Sequence, residues 1–356
     1  MNTILTIIVP AYNMEKYLDR CLSSLVVDKG LMNLFDVLVI NDGSKDRTSE
    51  IGHGYEAKYP GTFRVIDKEN GHYGSCVNRG LAEAKGTFVK ILDADDLFDY
   101  SVFPEFLHFL KQPAVYNCAD LVLSNYVESD TDLVFIREHK YDKHSPNPFS
   151  LGDLSLNDRN EWFIHGLTYR TSILLDNSYR QSEGLAYTDH EWAFFPLPYI
   201  KSIYQFEKTL YLYLIGRDDQ SVAAATHAKH LDAEVSVVYS LLRNYTSMPK
   251  VKNKADQLFI QETLYANVEH LYRLYLIDIP RNFIPTYKPL IEFDSRLKEC
   301  FPDLYQRTDG FQITTARIHF KTISNWRNGR KFNLWAQRTL YKLADNWNLI
   351  FKRRYA

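Results

Sequence analysis

Three carboxylates fall within four residues at Asp93-Ala94-Asp95-Asp96, directly after the largely apolar stretch Thr87 to Leu92. At neutral pH such acids repel one another, and a divalent cation relieves the repulsion by taking their oxygens as hard ligands. Mg2+ keeps one or two protein carboxylates and fills its shell with water and phosphate oxygens, so an Asp-x-Asp turn suits a metal-bound diphosphate. The alternative is a charged turn that caps the next helix. Asp42, in the turn Asn41-Asp42-Gly43-Ser44, follows another apolar run. It can accept hydrogen bonds from a nucleobase imide or a ribose; the alternative is a solvated turn. Further on, Tyr187-Thr188-Asp189-His190-Glu191-Trp192 sets acids among aromatic rings. Asp189 is there a candidate general base with a carboxyl raised by partial burial, or else a helix cap.

These residues need elements to hold them. Ile4 to Val9 is a β-branched, apolar run of the kind that is buried on both faces in a parallel sheet. Asn13 is placed to cap a helix whose apolar positions, Tyr17, Leu18, Cys21, Leu22 and Leu25, follow a helical period. Val37 to Ile40, Phe63 to Ile66 and Thr87 to Leu92 read as three more strands. Between them lie a helix from Asp46 towards Lys58 and another from Ser75 to Lys85, stopped by Gly86. Strand and helix in alternation with short turns imply a doubly wound α/β layer. Ligands bind beyond the carboxyl ends of such strands. That rule selects Pro10-Ala11-Tyr12-Asn13, the Asp42 turn and the Asp93–Asp96 turn. Leu121 to Val127, Leu133 to Arg137 and the Tyr-rich Ile203 to Ile215 are further strand candidates, and the pattern turns helical from about Ala223. The expected organisation is a catalytic domain over residues 1–222 and a helical C-terminal region over 223–356.

Composition narrows the class. The chain has 356 residues, 45% hydrophobic and 24% charged, which is ordinary for a globular protein with a sizeable core. No apolar run reaches the length of a membrane-spanning helix, and the start lacks the basic region and cleavage site of a signal peptide. Cys21, Cys76, Cys118 and Cys300 show neither metal-ligand nor redox spacing, so reduced thiols in the cytoplasm are expected. The 25 tyrosines suit a cleft that is both apolar and wet, such as one for sugar. From Arg317 onward there are ten basic residues and one acid, Asp345, interleaved with Trp335, Trp347 and Phe351. That pattern points to peripheral contact with an anionic lipid surface, with packing on the catalytic domain as the alternative. No nucleic-acid-binding motif accompanies it.

The motifs Ile7 to Asn13 (I-I-V-P-A-Y-N), Asn41 to Thr48 (N-D-G-S-x-D-x-T), Gly80 to Asp96 (G-x-x-x-A-K-G with L-D-A-D-D) and Thr188 to Trp192 (T-D-H-E-W) occur in that order. As a set they resemble the family 2 inverting glycosyltransferases with the GT-A fold, over roughly residues 4 to 222. The resemblance implies a Rossmann-like, mostly parallel sheet and a nucleotide-sugar donor, usually a UDP-sugar. It implies a saccharide or lipid-linked saccharide acceptor and a role in cell-surface polysaccharide or glycoconjugate synthesis. It assigns Pro10, Ala11, Tyr12 and Asp42 to the nucleotide, Asp93 to the ribose and diphosphate, Asp95 to Mn2+ or Mg2+, and Asp189 to the catalytic base. Asn78 matches a donor-side position, and Arg217, in the segment Tyr213 to Val222, is placed to meet a phosphate bidentately. One departure stands out: many relatives carry an Arg where this chain has Val77, which leaves Lys68, His72 or Arg79 to supply the cation. A sugar-phosphate nucleotidyltransferase would need a glycine-rich loop after the first strand, where Pro10-Ala11-Tyr12-Asn13 has none. G-x-G-x-x-G and G-K-[ST] are also absent there, against a dehydrogenase or a P-loop enzyme. A silent sugar-binding domain is the non-enzyme alternative.

Overall fold

The computed structural model describes residues 3–144, 147–216, 224–315 and 318–354. The chain divides into two compact units, Met1–Arg217 with Ser240–Thr263, and Asp218–Tyr239 with Leu264–Ala356.

The first unit is built on one nine-stranded sheet. Its opening half follows the alternation read from the sequence. Strand β1 (Leu5–Ala11) leads to helix α1 (Leu18–Ser23), β2 (Phe35–Asn41) to α2 (Thr48–Lys58), and β3 (Phe63–Asp67) to α3 (His72–Glu83); β4 (Phe88–Ile91) closes the run. These four strands pair in parallel, in the order β3-β2-β1-β4. All residues of β1, β2 and β4 are buried, as mostly apolar runs with a layer on each face require, and polar members such as Thr6, Asp36 and Lys90 are hydrogen-bonded. Parallel pairing brings the carboxyl ends of these strands to one edge, so the three turns rich in polar side chains become neighbours.

Beyond β4 the sheet changes character. Strand β5 (Leu97–Phe98), helices α4 (Phe103–Leu110) and α5 (Pro113–Cys118), and strands β6 (Leu121–Ser129) and β7 (Phe135–His139) come next. Helix α6 (Leu156–Asn160), strand β8 (Leu167–Arg170), helices α7 (Thr171–Leu175) and α8 (Asp189–Phe194), and strand β9 (Ile203–Leu214) complete this half. Strand β8 pairs antiparallel with β4 and β6, and β9 runs parallel to β6 and antiparallel to β5. Short β8, only four residues long, carries no alternation strong enough to be read beforehand. A buried cation lies on this half of the sheet: Lys90, in β4, donates to the carbonyl of His165 at 2.7 Å, and burial lowers its pKa to about 7.

The second unit contains the short helix α9 (Ala224–Lys229). Helices α10 (Leu231–Ser247) and α11 (Lys254–Arg273) follow, their residues divided between the units as given above. Helices α12 (Lys288–Cys300), α13 (Pro302–Asp309), α14 (Thr322–Arg327) and α15 (Lys331–Arg354) come after, with a small hairpin of β10 (Ile313–Thr315) and β11 (Ile318–Phe320). Among fully buried apolar side chains such as Leu271, Phe293 and Ile323 the unit holds a polar knot. Arg327 donates to Asp294 and Asp309, at 2.7 and 2.8 Å, and lies 3.7 Å from the centre of the Tyr305 ring. Arg338 donates to the carbonyls of Tyr275 and Leu276 and to the Tyr287 hydroxyl. Among the described residues, the tail cations Arg327 and Arg338 are therefore committed inside this unit. Among the described residues no helix is long and apolar enough to cross a membrane.

Candidate active site

At the end of β1 the chain does not enter a helix at once. Asn13 was expected as a helix cap; instead it takes a left-handed conformation (φ 54°), and α1 begins only at Leu18. Its side-chain oxygen accepts from the Lys45 amide at 2.8 Å, and its own amide donates to Ser44 Oγ at 3.0 Å. Met14 and Glu15 add bonds to Thr48 and Asp46. The Pro10–Asn13 turn is thus stitched to the turn after β2. Pro10 and Ala11 are buried strand-end residues, while the Tyr12 side chain is 46% exposed.

Asp42 sits under the loop that links β3 to α3. Its carboxylate pairs with Lys68 and accepts from the Gly71 amide at 2.9 Å, while Asn70 donates to its carbonyl at 3.0 Å. Lys68 also donates to Ser75 Oγ and to the carbonyl of Glu69. Asp42 is only 2% exposed. The turn is possible because Gly43 adopts φ 73°. Of the three cations that could replace an Arg at Val77, Lys68 is the one on Asp42. Val77 itself is fully buried in α3, and Arg79 pairs along the helix with Glu83. Lys68→Met would strand a buried carboxylate without its cation. It is expected to lower unfolding stability by about 3–5 kcal/mol in a denaturant titration. Arg79→Met, at an exposed helix pair, is expected to cost under about 1 kcal/mol.

The acidic turn after β4 is held by tyrosines. Tyr73 donates to Asp93 Oδ1 at 2.8 Å. Tyr211 donates to Asp96 Oδ2 at 2.6 Å and accepts from the Asp93 amide at 3.1 Å. The Leu214 amide donates to Asp96 Oδ1 at 2.8 Å. Asp96 is fully buried, whereas Asp93 and Asp95 are partly exposed. Burial, reinforced by the charges of Asp95 and Asp189, pushes Asp93 up to about 7 against the hydrogen bond from Tyr73. Burial, Asp95 and Asp93 push Asp96 up as well. Asp93, Asp96 and His165 each bring one ligand atom within 4.8 Å of the others. His165 stacks on Tyr213 at 4.4 Å, and its buried Nδ1 has no hydrogen-bond partner. Burial and the nearby Lys90 lower its pKa to about 3, so the imidazole is neutral and able to ligate. Oxygen-rich donors with one neutral imidazole fit Mn2+ or Mg2+.

Asp189 opens α8 and is partly exposed. Its charge acts on Asp93 and on Tyr73, and with Asp96, Asp93 and Asp95 it adds to the rise that burial causes in the pKa of Tyr213. The two acidic segments, far apart in sequence, therefore share one electrostatic neighbourhood. The loop before Asp189 is tightly fixed. Glu191 is fully buried and accepts from the amide and hydroxyl of Ser182 at 2.6 and 2.7 Å. Gln181 donates to Thr188 at 2.9 Å, and Gly184 donates to the carbonyl of Gly71 at 3.0 Å. Gly74 lets α3 approach this loop, because a Cβ there would run into the Ser182 carbonyl. Tyr187, just before the helix, is left-handed (φ 59°), as is His72 (φ 64°) at the start of α3. Strained non-glycine residues in loops that border a shared site fit the tendency of such strain to collect where geometry is constrained by function.

Asn78 spends its amide on the same loop: its nitrogen donates to the Gln181 carbonyl and to Glu183, and its oxygen accepts from the Gln181 amide. Trp192 is fully buried packing against Tyr169 and Tyr179. Arg217 lies outside the described residues. Tyr73, Tyr211 and the Gln181–Ser182 loop were not singled out from sequence, since nothing in a lone Tyr or Gln signals a bond to a distant carboxylate.

Residues 6–164 match the family model described as glycosyl transferase family 2. The uncharacterized glycosyltransferase EpsJ of Bacillus subtilis is 32% identical over 132 residues, covering 37% of this chain and 36% of that protein. The chain's match spans about a third of the length of the first curated relatives. Among solved structures, S. aureus TarS 1–349 in complex with UDP-GlcNAc aligns over 92% of both chains at 19% identity and a TM-score of 0.53. The mannosyltransferase PcManGT from Pyrobaculum calidifontis, in complex with GDP-Man and Mn2+, aligns over 98% of this chain and 88% of its own at 14% identity and a TM-score of 0.51. These likenesses establish the GT-A-like fold.

Proposed function

We propose, on the match of residues 6–164 to the glycosyl transferase family 2 model, that this chain is a metal-dependent, inverting glycosyltransferase. It moves a sugar from a nucleotide-sugar, by preference a UDP-sugar, to a hydroxyl of a saccharide or lipid-linked saccharide in cell-surface polysaccharide or glycoconjugate synthesis. The supporting observation is that α3, whose Tyr73 bonds Asp93, packs at Gly74 against the Ser182 loop that Glu191 fixes beside Asp189, so the strand-end turn and the helix start are held by one element.

Asp95, whose charge acts on Asp93 and Asp96, is our main ligand for Mn2+ or Mg2+, with the Asp93, Asp96 and His165 cluster as the further donors; the ion when bound would neutralise the charge that builds on the departing diphosphate. Tyr12 offers an exposed ring face for the nucleobase, flanked by Pro10 and Ala11. Asp42 retains its assignment to the nucleotide, with its carboxylate held by Lys68 and the Gly71 amide. Asp189 accepts the proton of the acceptor hydroxyl while that hydroxyl's oxygen bonds the anomeric carbon, on the face opposite the breaking bond to the departing diphosphate. Asn78 and Glu191 act on the chemistry only by fixing the loop beside Asp189. Arg217 retains its assignment to a donor or acceptor phosphate. The solved neighbours hold UDP-GlcNAc and GDP-Man, so both bases belong in the test.

Calorimetry with UDP, GDP and CDP in the presence of Mn2+ tests the donor. UDP is expected to bind tightest. Tyr12→Ala is expected to weaken it by about 1–3 kcal/mol, the worth of one stacked base, with no change in melting temperature. Equal affinities for the three nucleotides would remove the uracil assignment.

A further inference from the structure

Helix α15 presents a face that the second unit does not use. Gln337 is fully buried and bonds Thr322, and Arg338 is tied to Tyr275, Leu276 and Tyr287. Those contacts fix the helix's rotation within the unit. Phe332, Trp335 and Leu343 are 73%, 63% and 50% exposed. At 100° per residue these three project within one sector of the helix, turned away from Gln337. The rings of Phe332 and Trp335 lie 5.9 Å apart, so the two aromatics form one patch. Large apolar side chains clustered on one face are informative in a way that a single exposed Leu is not.

The charge around the patch says what would cover it. Lys321, Arg330 and Lys331 are exposed, and the helix also carries Lys342, Lys352, Arg353 and Arg354 in its sequence. Asp345 is the only acid from Arg317 onward. A second copy of this face would bring like charges together. An interface that is anionic at its surface and apolar a few ångströms below satisfies both features at once. We propose that the Phe332–Trp335–Leu343 face of α15 docks on anionic lipid bilayers, with its aromatic rings in the headgroup region and its cations on the phosphates. The proposal stands apart from the transferase reading, because none of these residues belongs to the candidate active site.

The test is co-sedimentation of the full chain with vesicles of phosphatidylcholine alone and with about a third phosphatidylglycerol, a composition rich enough in anionic lipid to give a strong surface potential. Pelleting with the anionic vesicles at low salt is expected, with release in 0.5 M NaCl, where screening shortens to a few ångströms, about 4 Å. Trp335→Ser is expected to weaken partitioning about tenfold, the fold-change of one large apolar side chain leaving water. Arg330→Glu with Lys331→Glu is expected to abolish discrimination between the two vesicles. Nucleotide binding of these variants is expected to be unchanged, which separates this proposal from the donor assignment. Failure to pellet at low salt would overturn it. So would pelleting unaffected by Trp335→Ser, a concentration-dependent dimer that Trp335→Ser dissociates, or binding to a DNA duplex in place of vesicles.

Discussion

Asp189→Asn is expected to lower transfer by roughly two to four orders of magnitude, the usual worth of a general base, while nucleotide affinity and melting temperature stay near wild type. The substitution keeps shape and hydrogen-bonding capacity but removes basicity. Asp189 opens α8, and Asn caps a helix about as well as Asp, so a purely structural role would leave turnover intact. The neighbouring acid offers no rescue. Glu191 is fully buried with both oxygens bonded to Ser182, so its carboxylate is occupied in holding the loop. Glu191→Gln should therefore show itself in thermal melting, and Asp189→Asn in turnover. Near-normal turnover in Asp189→Asn, measured beside its melting curve, would remove the base assignment.

Asp95→Ala is expected to reduce turnover by about a hundredfold or more, since a Lewis acid at the leaving group contributes several kcal/mol. Excess Mn2+ should not restore it. The fold should survive, because Asp95 lies in a turn beyond β4 and its charge raises the pKa of both Asp93 and Asp96. Deleting that charge relieves a cluster that is repulsive without its cation, so the apo variant is expected to melt no lower than wild type. A lower melting temperature with retained turnover would assign Asp95 to structure instead.

What the sequence disclosed and what it hid follow one physical line. The runs within Leu5–Ala11 and Phe35–Asn41 were legible because strands buried on both faces are mostly apolar, and buried Thr6 and Asp36 satisfy each other by a hydrogen bond. The strand-end rule then located all three polar turns without coordinates. Asn13 misled, because a residue that caps helices well also tolerates a left-handed turn, and here a bond from Lys45 rewards the turn. Strand β8 was missed because four residues carry too little pattern. The site's tyrosines were illegible for another reason. The Tyr73 bond to Asp93 and the Tyr211 bond to Asp96 join positions whose nearness depends on the folded sheet. Lys68 lies between the two: the sequence named it among three cations, and only its place on Asp42 distinguishes it. The basic tail was overcounted, since Arg327 and Arg338 are internal ion-pair and hydrogen-bond donors of their own unit.

The most direct test of a metal-dependent transferase centre at Asp93, Asp95 and Asp189 is release of nucleoside diphosphate from a panel of nucleotide-sugars, with and without chelator. The account predicts that wild-type protein with Mn2+ consumes at least one donor, with a UDP-sugar foremost, and that excess chelator stops it. No release from any donor in Mn2+, with or without saccharide acceptors, or equal release in chelator, would contradict it.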